Sequence, residues 1–306
     1  MKFLTLNKKA YDKCNSAILL VGCQRSGTTI LGNLVHSFKN VEYIYEPTMM
    51  YSLFELMPKL KEQDWKVLYE TYLYEEFLMN ALAGRNLNFN PHDDTYILKV
   101  RSEKFIKSRL SRSFRKSEAV KLAASNRIAY KIAHSGNFIS KLKEYYPGTK
   151  IVVITRKAPG NIKSILEKGW FSDDYLRLES GFFLRKIYKK ASIPFFVLEK
   201  DFEKWLKMDE LHRAAYNYVQ KNRYIENISD CLRIKHSDLL ANPAKTARGL
   251  AKYLNLVPGE KTAEIIASVA LPKNEADWDP LAEWDPLLDK LSAPLRREVR
   301  HYSSIN

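Results

Sequence analysis

An apolar run, Ala17 to Val21, breaks at Gly22-Cys23-Gln24-Arg25-Ser26-Gly27-Thr28-Thr29 and resumes with Ile30, Leu31, Leu34 and Val35. Buried strand, glycine turn and helix start in that order aim backbone N–H groups at a phosphate-sized anion. The spacing Gly22-x-x-x-x-Gly27 is that of a P-loop, but Thr28 stands where nucleoside triphosphatases carry the lysine that reaches the β- and γ-phosphates of ATP. Arg25 instead puts a permanent, forked cation inside the loop, suited to one phosphate and its substituent. A tight strand-to-helix turn that binds nothing shares this spacing, so the rest of the chain has to decide.

Apolar runs alternate with helical patterns along the chain. Strands are expected at 17–23, 42–45, 96–100, 127–132, 150–155 and 231–235. Helices are expected at 28–38, 50–60, 63–83, 103–124, 135–146, 160–168, 178–206, 208–228, 243–254 and 260–269. That alternation predicts an α/β fold, a parallel sheet flanked by helices in a single elaborated domain with its core over about 16–256 and a C-terminal extension over 257–306. At 306 residues and 45% apolar content the chain can bury one sizeable core. No apolar stretch reaches the length of a membrane span, and the first residues lack a signal-peptide pattern, so the expected location is cytoplasmic. Cys14, Cys23 and Cys231 are scattered, with neither disulfide nor metal-ligand spacing; no metal is expected.

A second buried run, Lys150 to Thr155, ends at Arg156, and Ser164 follows about two turns into the next helix. Arg156 at the carboxyl end of a strand and Ser164 on the helix behind it are placed to converge on one small anion, because ligands of open α/β sheets sit at those strand ends. An arginine capping the sheet with a solvent-facing serine is the alternative.

With these motifs in view, the chain resembles the sulfotransferase family, which uses 3′-phosphoadenosine 5′-phosphosulfate (PAPS). The segment Arg25 to Thr29 is similar to the family's 5′-phosphosulfate loop. Arg156 and Ser164 match its 3′-phosphate motif, an arginine followed eight residues later by a serine. Arg233 to Pro243 resembles a late strand and turn, and Tyr45-Glu46-Pro47 is similar to the Glu-Pro step of carbohydrate and related Golgi-type members. These matches run in family order over about 16–256. Gln24 departs from the proline or tryptophan usual before the loop arginine, Pro159 falls one place later than the common pattern, and the late glycine-rich segment of the cytosolic steroid and phenol enzymes is not found.

The resemblance implies PAPS as co-substrate and transfer of a sulfuryl group to a hydroxyl or amine, dominated by positioning and charge stabilisation. It implies that the amides of Ser26, Gly27, Thr28 and Thr29, with Arg25, hold the 5′ end, and that Arg156 and Ser164 hold the 3′-phosphate. Lys131 looks like the family's strand-end lysine at the transferring group, with Lys99, ending the strand expected at 96–100, as its competitor. Glu46 matches the catalytic glutamate of protein-tyrosine and carbohydrate members and is the favoured general base. His134, three residues after Lys131, is the second candidate; His36 matches a packing position. The acceptor is expected to bear a hydroxyl, with a sugar favoured and alcohols, lipids, amines and tyrosine open. A small-molecule P-loop kinase and a silent nucleotide-binding module of the same fold are the rival readings.

The formal charge is +15. Between Lys99 and Lys131 eleven lysines and arginines face two glutamates, a local +9. Such a run reads as a solvated face or as attraction for a polyanionic substrate. Peripheral contact with a membrane fits the charge as well. Few aromatics interleave it and no nucleic-acid module pattern appears, so no nucleic acid is expected.

Overall fold

Five parallel strands form the centre of the protein: β1 (Ile18–Gly22), β2 (Val41–Ile44), β3 (Arg127–Ile132), β4 (Lys150–Thr155) and, last in the chain, the strand Leu232–Lys235. This structure is a computed structural model and describes residues 4–112, 115–133, 138–178, 181–269 and 284–306. The hairpin β5 (Arg185–Tyr188) and β6 (Ala191–Pro194) intervenes, so the last parallel strand is β7, and the sheet order is β2-β3-β1-β4-β7.

Strand alternation divides the apolar side chains between two cores. Leu19 and Val21 of β1 and Ile151 and Val153 of β4 face one core, while Ile18, Leu20, Val152 and Ile154 face the other. Both faces are covered, as the unbroken apolar strands require. The helix Thr28–Ser37 that follows β1 buries Leu31, Leu34 and Val35 in the second core. Those following β3 and β4, Phe138–Tyr145 and Ala158–Leu166, pack Ile139, Leu142, Ile162 and Ile165 into the first. Chains leaving adjacent strands toward opposite faces open a crevice at the carboxyl edge of β1, where ligands of such sheets bind.

Three expected elements differ. The strand expected at 96–100 is a single 3₁₀ turn, Ile97–Lys99. β2 is the sheet edge, and the buried Arg101 guanidinium covers its start by donating to the carbonyls of Phe38, just before the strand, and Val41; among the described residues no further strand pairs there. The basic helix expected at 103–124 is two helices, Glu103–Leu110 and Lys116–Ser125. The stretch expected as a helix at 178–206 instead holds, among its described residues, the β5–β6 hairpin, a 3₁₀ turn at Glu199–Asp201 and a short helix at Phe202–Leu206. Left-handed backbone at Lys189 and Lys190 makes the reversal, and β-branched and aromatic residues on either side favour strands over a helix. The stretch expected as one helix at 63–83 runs from Glu62 to Leu82 and widens to π-type hydrogen bonding over Thr71–Met79.

The C-terminal extension includes a helix, Ala293–Ile305, that buries Leu295, Val299 and Tyr302 against the first core. Among the described residues, no helix is long and apolar enough to cross a membrane.

Candidate active site

Every strand of the parallel sheet delivers a polar or charged group to the same edge. After β1 comes the loop Cys23–Gly27, after β2 Glu46, from the end of β3 Lys131, after β4 Arg156, and after β7 His236. Chain-distant residues are thereby gathered around one helix N-terminus.

Gly27 caps the helix Thr28–Ser37 with φ 85° and without any side-chain hydrogen bond to the first turn. The first amides of a helix have no partner within it, so with no side-chain acceptor at the cap they remain available to an anion. A Cβ on Gly27 would lie 2.7 Å from Cδ2 of His236, so close packing and backbone conformation both demand glycine.

Arg25 is exposed and left-handed, with φ 64°. Its Nε donates to Ser164 Oγ at 2.9 Å, and its guanidinium carbon stands 5.8 Å above the Trp170 ring. Arg156 donates from Nη1 to the Arg25 carbonyl at 3.0 Å. Its guanidinium lies over Gly160, where a Cβ would approach to 2.8 Å. Arg25, Arg156 and Ser164 therefore form one cluster, and two fixed positive charges beside open helix amides are the donor set an organic phosphate needs. The residues present fit such a group.

Lys131 is the deepest charge of the site, its side chain 2% exposed. It lies on the β3 face that looks toward the Thr28–Ser37 helix. Its Nζ stands 2.8 Å from Glu46 Oε1, 3.5 Å from Thr29 Oγ1 and 3.8 Å from the Tyr45 ring centroid. Glu46 reaches it from a left-handed conformation, φ 39°, immediately before Pro47. A non-glycine residue there carries strain that the surroundings must hold, and Pro47, in extended conformation, starts the helix Thr48–Leu56. The Tyr51 hydroxyl of that helix accepts from the Ala133 amide at 3.3 Å. Burial, and then the Glu46 charge, push its phenol well above the usual range, so it stays protonated.

Beneath the loop lies a buried polar layer. Asn161 Nδ2 donates to the Gln24 carbonyl at 2.7 Å and to Ser26 Oγ at 3.0 Å, and the side chains of Gln24 and Asn217 hydrogen-bond each other. Gln24 is thus a structural tie to the long helix Glu210–Glu226. Cys23 belongs to the same layer; burial pushes its thiol up to about 12, and it is no nucleophile at neutral pH.

The sequence expectations divide accordingly. Arg25, Ser26, Gly27, Thr28, Thr29, Glu46, Lys131, Arg156 and Ser164 meet at one edge. Lys99 does not join them: it ends a 3₁₀ turn and donates to the Asp93 carbonyl at 2.9 Å. His134 lies outside the described residues. His36 is buried against Tyr43, and burial with the charges of Arg101 and Arg109 holds it well below the usual imidazole range. Of the basic 99–131 run, Arg109 is turned inward onto Glu42, with hydrogen bonds of 2.9 and 2.7 Å. Lys131 is the one member among the described residues that lines the cleft. His236 and Asn161 were missed, although His236 sits in the segment Arg233–Pro243 and Asn161 between Arg156 and Ser164. Burial and the Arg156 charge hold His236 down to about 4, so it faces the loop uncharged.

A cleft of about 300 Å³ opens beside Glu46 and Lys131. Arg25, Thr28 and Thr29 form its polar end, and Tyr45, Tyr51, Trp170 and Tyr175 continue its wall toward Phe182, Phe183 and Phe195.

A family model described as "Sulfotransferase family" matches residues 17–257. Among curated proteins, none matches this chain. Among solved structures, a sulfotransferase domain from the curacin biosynthetic pathway is 14% identical with a TM-score of 0.49, over 95% of this chain and 96% of that one. A sulfotransferase domain of the Synechococcus PCC 7002 olefin synthase is 14% identical with a TM-score of 0.45, over 94% and 93% of the two chains. A mouse sulfotransferase complexed with PAP is 12% identical with a TM-score of 0.38, over 98% and 95%.

Proposed function

This chain belongs to the sulfotransferase family, and on that premise we propose that it transfers a sulfuryl group from PAPS to a hydroxyl acceptor, with Glu46 as general base. The observation that carries this reading is the Glu46–Lys131 pair, 2.8 Å apart at the mouth of an arginine-bearing loop whose helix cap supplies no acceptor of its own. PAPS supplies an SO₃ group whose sulfur–oxygen bond to the 5′-phosphate breaks as the acceptor oxygen bonds to sulfur, the electron pair remaining on the phosphate.

The chain's residues divide the remaining work. The amides of Gly27, Thr28 and Thr29 and the Arg25 guanidinium hold the 5′ end, the Ser26 amide being taken by the Cys23 carbonyl at 3.2 Å, and Arg156 with Ser164 holds the 3′-phosphate. Lys131, almost dry, opposes negative charge on the transferring and leaving oxygens, where low local dielectric strengthens it. Glu46, a third exposed, takes the acceptor proton. Drawing Lys131 toward the donor loosens its hold on Glu46, so donor binding uncovers the base.

Two rivals make different demands. A small-molecule kinase needs a lysine where Thr28 stands, and a silent module would leave Glu46 without work. The test is ligand-dependent melting. The desulfated product, 3′,5′-adenosine diphosphate, is expected to stabilise the protein through mass action, well beyond ATP with magnesium. Stabilisation by ATP–magnesium alone would overturn the reading in favour of the kinase, and product binding without turnover of any acceptor would leave the silent module.

A further inference from the structure

We infer that the acceptor presents its hydroxyl on an apolar body, an aryl or aliphatic alcohol rather than a sugar. This rests on the sulfuryl-transfer reading above and deepens it. The wall leading away from Glu46 is aromatic. Tyr51 meets Phe183 and Phe195 edge-on, each with ring centroids 5.7 Å apart. Phe182 stacks on the core residue Phe171 at 5.9 Å and meets Tyr175 and Phe196 edge-on. Phe182 and Phe195 connect to the first core through Phe171, Phe196 and Trp205, and Phe183 meets Tyr51 at the outer end of the wall.

The charged groups are concentrated at the opposite end, and the wall's own polar atoms are the single tips of Tyr45, Thr48, Tyr51, Trp170 and Tyr175, of which the Tyr51 hydroxyl already accepts from the Ala133 amide. Among the described lining residues, Glu46 is the one carboxylate, and Gln24 is the one side-chain amide, already engaged with Asn217. A hexose carries several ring hydroxyls besides the reacting one, and each that meets aromatic carbon loses its water without replacement. The loss is on the order of tenfold in affinity per unmatched hydroxyl. An apolar body loses nothing there and gains from leaving water. Phe183 lines the cleft and is 53% exposed, so the apolar wall continues to the solvent at its mouth. An acceptor longer than the cleft is therefore still covered on one side where it emerges.

The experiment measures binding by equilibrium dialysis, with and without 3′,5′-adenosine diphosphate, using 2-naphthylmethanol and methyl β-glucoside as probes. Naphthylmethanol is expected to bind at least about 100-fold more tightly than the glucoside. Phe183→Ala, at a half-exposed position that leaves folding intact, is expected to weaken naphthylmethanol about fivefold or more, and Phe183→Leu to restore most of the loss. Neither variant should change the thermal stabilisation by the adenosine diphosphate. Equal or tighter binding of the glucoside would overturn the inference, as would naphthylmethanol binding indifferent to Phe183→Ala. Failure of the diphosphate to stabilise the protein would strike the sulfuryl-transfer reading instead, and the probe measurements made without it keep the two failures apart.

Discussion

The Lys131 ammonium lies 2.8 Å from the Glu46 carboxylate, one partner almost fully buried and the other a third exposed. The pair joins the end of β3 to the turn after β2, and the exposed partner is the one free to meet an acceptor. Lys131→Met removes the buried charge while keeping an unbranched side chain. Turnover is expected to fall at least about 10²-fold, as for a lost electrostatic donor to the transition state. Urea denaturation should shift little, because Glu46 is left facing solvent. A variant with normal turnover would remove Lys131 from the chemistry.

Glu46→Gln preserves shape and hydrogen bonding but cannot accept a proton at neutral pH. Turnover should drop about 10²–10⁴-fold, with affinity for 3′,5′-adenosine diphosphate within a few-fold. The substitution strips the buried Lys131 ammonium of its counter-charge, so folding stability should also fall, by about 1–3 kcal/mol. Near-normal turnover in this variant, with an inactive but folded His134→Ala, would transfer the base role to His134.

Arg156→Ala tests the assignment of the 3′ end. Affinity for 3′,5′-adenosine diphosphate is expected to weaken by about 2–4 kcal/mol, because the phosphate would keep its charge without the guanidinium hydrogen bonds that offset its desolvation. Arg156 also donates to the Arg25 carbonyl, so 5′-AMP should lose a smaller part through the loosened loop. Calorimetric titration of both ligands separates the effects, and equal losses would reduce Arg156 to a loop support.

Lys221 sits on the long helix beneath the loop, buried, its Nζ 4.9 Å from the Phe196 ring centroid. Burial holds its ammonium down to about 7, while in the unfolded chain it titrates near the usual lysine value of about 10.4. Between those values the unfolded state binds more protons, so stability rises with pH, by up to about 1.4 kcal/mol per pH unit from this group. Below about pH 7 both states are protonated and the full burial penalty persists. Lys221→Met is therefore expected to raise the urea midpoint at pH 6.5 and to flatten its rise toward pH 9.5. Parallel profiles for the two proteins would show that Lys221 does not titrate inside the fold.

Much of the site was legible because glycine loops and strand ends are local. Apolar runs at Ile18–Val21 and Lys150–Thr155 determine buried parallel strands, Gly27 determines the left-handed cap, and Arg25 and Arg156 are placed by their distance from those strands. Element type failed where the neighbourhood decided it. The run Tyr96–Val100 has strand composition, yet the buried Arg101 guanidinium already occupies the carbonyls at the β2 edge. Residues 178–206 read as helical, but the turn at Lys189–Lys190 folds Arg185–Pro194 into a hairpin.

What only the tertiary structure decided is which of these groups meet. The pairing of Lys131 with Glu46 depends on β2 lying beside β3 with Ile44 level with Tyr130. The approach of His236 to Gly27 depends on β7 returning beside β4, and the aromatic cleft depends on the hairpin region folding back over Tyr51. Periodicity along a chain reports which face of an element is buried. Strand order and register set the distances between groups on different elements, and those follow from the packing of the whole sheet and its two cores.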